Sequence, residues 1–279
     1  MDDGCNQVNP SAALSDLRPV TVLDSITELQ AADRHKVAVT GSHGGLASGR
    51  HALAHGVAAV IFNDAGVGLN GAGTRSLADL DRWGVPAAVV SHLSARIGDG
   101  RDTMRSGVVS ACNATAQALG VRPGHSCLAA VAALRTSAAH AQETDTAGFA
   151  SASRQVGPHH VVILDSASVI GPDAAGSVAV TGSHGGLPGR RAARALKHPA
   201  RFAAFNDAGV GKDQAGIARL EVLDSQGVPA VTVRHDSAEI GDGSSTLRSG
   251  VVSYANSLAI RSGARAGASL IEVIRRLPE

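Results

Sequence analysis

Short runs of β-branched and other apolar residues, each closed by a glycine or polar turn, occur at 20–23, 37–40, 58–62 and 87–90. Runs this short and uniformly apolar predict buried strands of a parallel sheet. Between them the apolar positions shift to helical spacing, at 48–55 and at 74–83, where Leu77, Leu80 and Trp83 share one face. A longer helix is predicted over 103–119, with Met104, Val108, Cys112 and Leu119 near helical spacing. Ser126 is placed as the N-cap of a last apolar helix. Strand and helix in alternation, joined by right-handed crossovers, give an open α/β sheet.

The whole pattern then comes round again. VAVTGSHGGL at 37–46 recurs letter for letter at 178–187, and FNDAGVG at 62–68 recurs at 205–211. IGDG at 97–100 returns at 240–243, and RSGVVS at 105–110 returns at 248–253. Self-similarity on this scale reads as a tandem duplication. The expected fold is α/β, two tandem Rossmann-like repeats, each an open, mostly parallel sheet, arranged as a pseudo-dimer. Repeat 1 is placed at 19–140 and repeat 2 at 159–279, with a flexible lead at 1–18 and a linker at 141–158 rich in Ala, Ser and Gly. The connection at 167–177 contains Gly171 and Pro172 and is too short for a crossover helix, so the first strand is expected antiparallel or at an edge.

Composition narrows the class. Apolar residues make up 44% of the chain but aromatics only 2%, so the core must be built from Val, Ala, Leu and Ile. A net charge of +1 without a basic block, and few rings to stack bases, argue against a nucleic-acid partner. No apolar stretch approaches the roughly 18 residues that cross a bilayer, so no membrane partner is expected. The polar, acidic N-terminus does not read as a signal peptide, which makes a cytoplasmic location the expectation. Cys5, Cys112 and Cys127 form no disulfide framework, and Cys127, opposite Leu270 in repeat 2, reads as a small apolar filler. A small-molecule substrate is the expected partner, and assembly into a homo-oligomer is left open.

The candidate chemistry lies in the turns that follow the strands, because ligands of open parallel sheets bind outside the strands' carboxyl ends. Gly44, Gly45, Gly185 and Gly186 would expose backbone N–H groups to an anion or oxyanion, or would simply permit a tight turn. Ser42, His43, Ser183 and His184 are catalytic candidates, yet neighbouring Ser and His side chains point apart, so a serine nucleophile would need a base from elsewhere. Asp64 and Asp207 end apolar strands, where a carboxylate must be paired, liganded or used as a cap; they join the catalytic set. Asn63, Asn206, His92 and His235 are substrate-binding candidates, with a structural hydrogen-bonding role as the plain alternative. Asp99 and Asp242 read as turn residues, and Ser110, Asn113, Ser253 and Asn256 as a polar helical face for inter-helix bonding. His43, His92 and Asp64 are the one grouping that could hold a divalent metal, but no HExxH or CxxC spacing supports it, and no cofactor is predicted.

The repeats differ in charge where they would meet. Lys212-Asp213 stands opposite Leu69-Asn70, and Arg96 opposite Glu239. One competent site is therefore expected, with Lys212 as anchor or base and Arg96 clamping a carboxylate or phosphate. TGSHGG and FNDAG resemble motifs of short-chain dehydrogenases, but only about twenty residues separate them and no YxxxK follows. The HGG run resembles the oxyanion loop of lipase-like hydrolases, without a GxSxG elbow. No family is assigned. The expected function is an enzyme, leaning to a hydrolase, doing acid–base or hydrolytic chemistry on a small anionic or amide-bearing metabolite. A binding or sensing module without catalysis, and an isomerase or racemase using the paired His and Asp groups, are the alternatives.

Overall fold

Four parallel strands form where the apolar runs of the first half lie: β1 (Val20–Leu23), β2 (Val37–His43), β3 (Ala59–Asn63) and β4 (Ala87–Val90). The computed structural model describes residues 17–137 and 148–278. Val20 pairs with Val37, Val37 with Ala59, and Val60 with Ala87. A fifth strand, β5 (Val109–Cys112), closes the sheet antiparallel to β4. The second sheet holds β6 (Ser151–Val156), β7 (His159–Leu164), β8 (Val178–His184), β9 (Phe202–Asn206), β10 (Ala230–Val233) and β11 (Val252–Ala255). Its inner four strands are parallel and its two edges, β6 and β11, antiparallel. The protein is thus α/β, with two mixed, mostly parallel sheets of five and six strands, compatible with a Rossmann-like architecture.

Helices cover both faces. In the first half they are α1 (Leu46–Ala54), α2 (Ser76–Arg82), α3 (Gly100–Ser106), α4 (Ala114–Ala118) and α5 (Cys127–Leu134). Alternate residues of β2 serve opposite faces, as strand geometry requires. Val37 and Val39 share a core with Ala130 and Leu134 of α5, whereas Ala38 shares one with Ala52 of α1 and Leu80 of α2. The second half has α6 (Arg219–Ser225), α7 (Gly243–Ser249), α8 (Ser257–Arg261) and α9 (Leu270–Arg275). Cys127 is fully buried, and burial pushes its thiol up to about 12, in keeping with the filler role. Among the described residues no helix is long and apolar enough to cross a membrane.

The structure departs from the sequence expectation in four places. The predicted helix over 103–119 is broken into α3, β5 and α4. Gly107 ends α3 in extended backbone, and the Asn113 side chain caps α4 by accepting from Ala116 N–H. The same amide accepts from Ala87 N–H at 3.0 Å and donates to the Val85 carbonyl at 2.8 Å, so the Asn is a junction between strand and helix. Part of the stretch read as a linker, 151–156, forms β6 along β7; residues 138–147 lie outside the described residues. Each first strand runs parallel to the strand that follows it, β1 to β2 and β7 to β8; β1 lies at an edge, as expected, but β7 is interior because β6 covers it antiparallel. Finally, the second half has no counterpart of α1. Pro188 and Gly189, the latter at φ +59°, leave two 3-10 turns there, Pro188–Arg190 and Ala192–Arg194.

Strand order in each parallel set follows chain order, so no reversal opens a crevice within either sheet. What lies opposite the carboxyl ends of one sheet is the other half.

Candidate functional site

The two sets of strand-end turns meet each other. His235 accepts from Leu69 N–H at 2.8 Å, and His92 accepts from Lys212 N–H at 2.8 Å, both through backbone carbonyls. Gly66 and Gly209 stand face to face. Both have positive φ (+73°), and a Cβ on either would lie 3.0 or 3.1 Å from the other's Cα and 2.9 Å from a histidine ring, His235 or His92 respectively. Only glycine fits. The IGDG turn of each half seats against the SHGG turn of the other: a Cβ at Gly98 would lie 3.3 Å from His184, and one at Gly241 would lie 3.0 Å from His43.

His43 and His184 are buried at the ends of β2 and β8. The Nδ1 atom of each accepts from the backbone N–H two residues on, Gly45 and Gly186, at 3.1 Å. Burial lowers His43 to about 4 and, together with the nearby Arg219 and His43, holds His184 well below the ordinary range. Both rings are therefore neutral at pH 7. With Nδ1 accepting, the proton is on Nε2, so each ring presents an N–H donor. The amides of the glycine turns are spent inside the chain: Gly44 and Gly185 donate to Asn63 and Asn206, and Gly45 and Gly186 to the rings. Ser42 and Ser183 accept from Ile26 N–H and Ala167 N–H at 2.9 and 2.8 Å, pinning the turn after the first strand of each sheet. No histidine is bonded to either hydroxyl among the described residues.

His92 and His235 hold the opposite tautomer. Asp64 accepts at Oδ1 from the His92 backbone N–H and from His92 Nδ1, both at 2.9 Å, and at Oδ2 from Ser110 at 2.8 Å. Burial opposes the charge of Asp64, but these bonds outweigh it and lower the carboxyl below its ordinary value. An ionised carboxylate only accepts, so His92 Nδ1 carries the proton and Nε2 is the open acceptor. Asp207 and His235 repeat the pair at 3.1 Å, except that Ser253 bonds Thr232 instead. The bond to Asp207 raises His235 above its ordinary value, with burial opposing. Asn63 and Asn206 are fully buried, each donating to a carbonyl (Ala95, Ala238) and accepting from an amide (Ala65, Ala208). Asp99 and Asp242 are N-caps of α3 and α7.

Lys212, Asp213 and Arg96 do come together across the junction. Arg96 bonds Asp213 at 2.8 Å, and Lys212 bonds both oxygens of the fully buried Asp102, at 3.0 and 3.1 Å. Burial opposes the Asp102 charge, but the Arg96 amide, Lys212 and Arg105 hold it down at about 2. At the opposite corner Glu239 binds Asn70 and Arg75 at 2.8 and 2.7 Å. Both corners are occupied by ion pairs. Among the described residues, no group of three or more His, Cys, Asp or Glu side chains is arranged to hold a metal.

Sequence reasoning missed the residue beside His184. Arg219 begins α6 and is 3% exposed, with its guanidinium donating to the Gly186 and Ala195 carbonyls and lying 4.6 Å from the Phe205 ring centre. Burial lowers it to about 10, so it stays charged. With Ser183 and His184 it lines a cleft of about 380 Å³ that also takes in Ser25 and Thr27 of the first half. The signal was there: Arg219 stands where the first half has Ser76.

Comparison with protein-family models, curated proteins and solved structures finds no match.

Proposed function

We propose that the two halves are repeats related by a pseudo-twofold axis passing between Gly66 and Gly209, and that the chain is an enzyme acting on a small polar metabolite in the cleft at Ser183 and His184. The observation that carries this reading is the tautomer of His184, a buried neutral ring whose only free polar atom is an N–H donor at a cleft. Such a donor polarises a carbonyl and stabilises the oxyanion that forms from it, without having to give up a charge. His92 and His235 hold the acceptor tautomer but stand at the glycine turns of the opposite half and do not line this cleft, so a bound water or the substrate itself is the proton acceptor this reading calls for. The chemistry that fits is acid–base, with hydrolysis running through water rather than an acyl-serine, because the Ser183 hydroxyl is engaged by Ala167 N–H and has no base.

The test is a turnover screen with small amides, lactams and esters that carry a carboxylate. His184→Ala should lower turnover by about a hundredfold or more, as loss of an oxyanion donor does, and Ser183→Ala should keep it within about threefold. Full turnover in His184→Ala, or none in Ser183→Ala, would refute the assignment. The second reading is a binding module without chemistry. It is favoured by the packing of His92 and His235 against the glycine turns of the opposite half, and it predicts ligand binding with no turnover in any variant.

A further inference from the structure

Five Asp, Glu, Lys or Arg residues are buried among the described residues: Asp33, Asp64, Asp102, Asp207 and Arg219. Each carboxylate has its counter-group, in Lys36, His92, Lys212 and His235 respectively. Arg219 has none. Its bonds go to carbonyls, Nε and Nη2 to Gly186 at 3.2 and 2.9 Å and Nη1 to Ala195 at 2.7 Å. A guanidinium has five N–H donors, so two are left over. A buried charge without an opposite charge is costly, and carbonyl dipoles and a ring face offset only part of that cost.

The rest of the cleft is cationic too. Arg194 and Lys197 line it, and Glu28, the one carboxylate there, is held by Arg194. Lys197 is exposed and makes no ion pair among the described residues. The cleft exists because Pro188 and Gly189 replace a helix by two short turns, whose Ala195 carbonyl Arg219 then holds. In the first half, α1 occupies the equivalent space. Ser76 stands in place of Arg219, so close that a Cβ at Gly49 would lie 2.4 Å from Ser76 Cβ.

We propose that this cleft binds an oxyanion, the carboxylate or phosphate of a small metabolite, with Arg219 as its buried counter-ion, His184 Nε2–H as second donor and Lys197 at the mouth, and that the site occurs once per chain. The proposal rests on the reading of His184 given above for its second donor, but the charge argument is independent of it. The metabolite's anionic end would sit at Arg219, which leaves the neighbouring carbonyl or amide for His184.

Calorimetric titration of the full chain with inorganic phosphate, and separately with acetate, at constant ionic strength tests this directly. Saturable binding at one equivalent is expected, and the better of the two anions identifies the group recognised. Arg219→Met should weaken it by at least about tenfold and Arg219→Lys by less, since lysine keeps the charge but loses the fork. Lys197→Glu, on an exposed position that folding does not need, should weaken it by about threefold or more. Absence of saturable binding, two equivalents, or wild-type affinity in either Arg219→Met or Lys197→Glu would overturn the proposal. Should Arg219→Met fail to fold, the stoichiometry and Lys197→Glu decide. Phosphate binding that survives while His184→Ala leaves turnover untouched would sink the catalytic reading and keep the anion site; the converse result would do the reverse.

Discussion

Lys212→Met separates a junction clamp from a base. The Asp102 carboxylate is fully buried and receives Arg96 N–H at 2.9 Å, Arg105 at 3.1 Å, Ser106 at 3.2 Å and Lys212 on both oxygens. Leaving a buried charge unpaired costs about 3–5 kcal/mol. Here Arg96 Nη1 at 3.2 Å and Arg105 stay in place, and Lys212 is itself a quarter exposed, so the expected loss is about 1–2 kcal/mol. Asp102→Asn, which keeps an acceptor for the Arg96 amide, should cost about 2 kcal/mol, and the double variant should show about 1 kcal/mol of coupling. Urea unfolding followed by far-ultraviolet circular dichroism and by fluorescence of Trp83, the one tryptophan of the chain, reports both halves and the first half respectively. The pair joins the halves, so its loss should separate the two midpoints. Acid should erase the difference. Asp102 has its carboxyl lowered from 3.8 to about 2, so its contribution is present above pH 3.8 and is lost as pH falls through about 2. Additive single changes, or a Lys212→Met stability deficit that persists at pH 2, would refute the clamp.

Two further predictions concern the centre of the junction. Gly209→Ala must place a methyl about 3 Å from Gly66 Cα at positive φ, and should destabilise by about 3 kcal/mol or more, measured as a shift in urea midpoint; a shift below 1 kcal/mol would show that the halves are not held that close. His235 is raised above 6.5 by Asp207, with Asp236 adding to the effect and Arg234 opposing it. Its stabilising contribution is therefore complete below pH 6.5 and fades as pH rises through the folded value. The gap in unfolding midpoint between wild type and His235→Gln should accordingly narrow from pH 6 to pH 8, and a constant gap would count against the Asp207–His235 pair.

The strands were legible because a four- or five-residue apolar run admits few other fates, and the strand-end turns followed from them. The stretch 103–119 was not legible from spacing. Val108 and Cys112 lie on a helical stripe in sequence, yet Gly107 breaks the helix and Asn113 restarts one, and local signals of that kind outrank periodicity over so few residues. Ser42 and Ser183 look like nucleophiles in sequence and act as acceptors in space, because what decides is an amide sixteen residues upstream. Arg219 was hidden because a lone arginine at a helix start is ordinary; its meaning depends on Pro188 and Gly189 having unwound the segment above it.

The seating of each SHGG turn against the other half's IGDG turn has a consequence for how the chain tolerates change. Val37 and Val39 serve only the core of their own half, but the histidine of each VAVTGSHGGL is read twice by the fold, once by the glycine turn that follows it and once by the other half's loop that rests on it. An altered side chain there disturbs two surfaces at once, and a compensating change would have to be found in both. At His43 and His184 every single change is therefore already a double one.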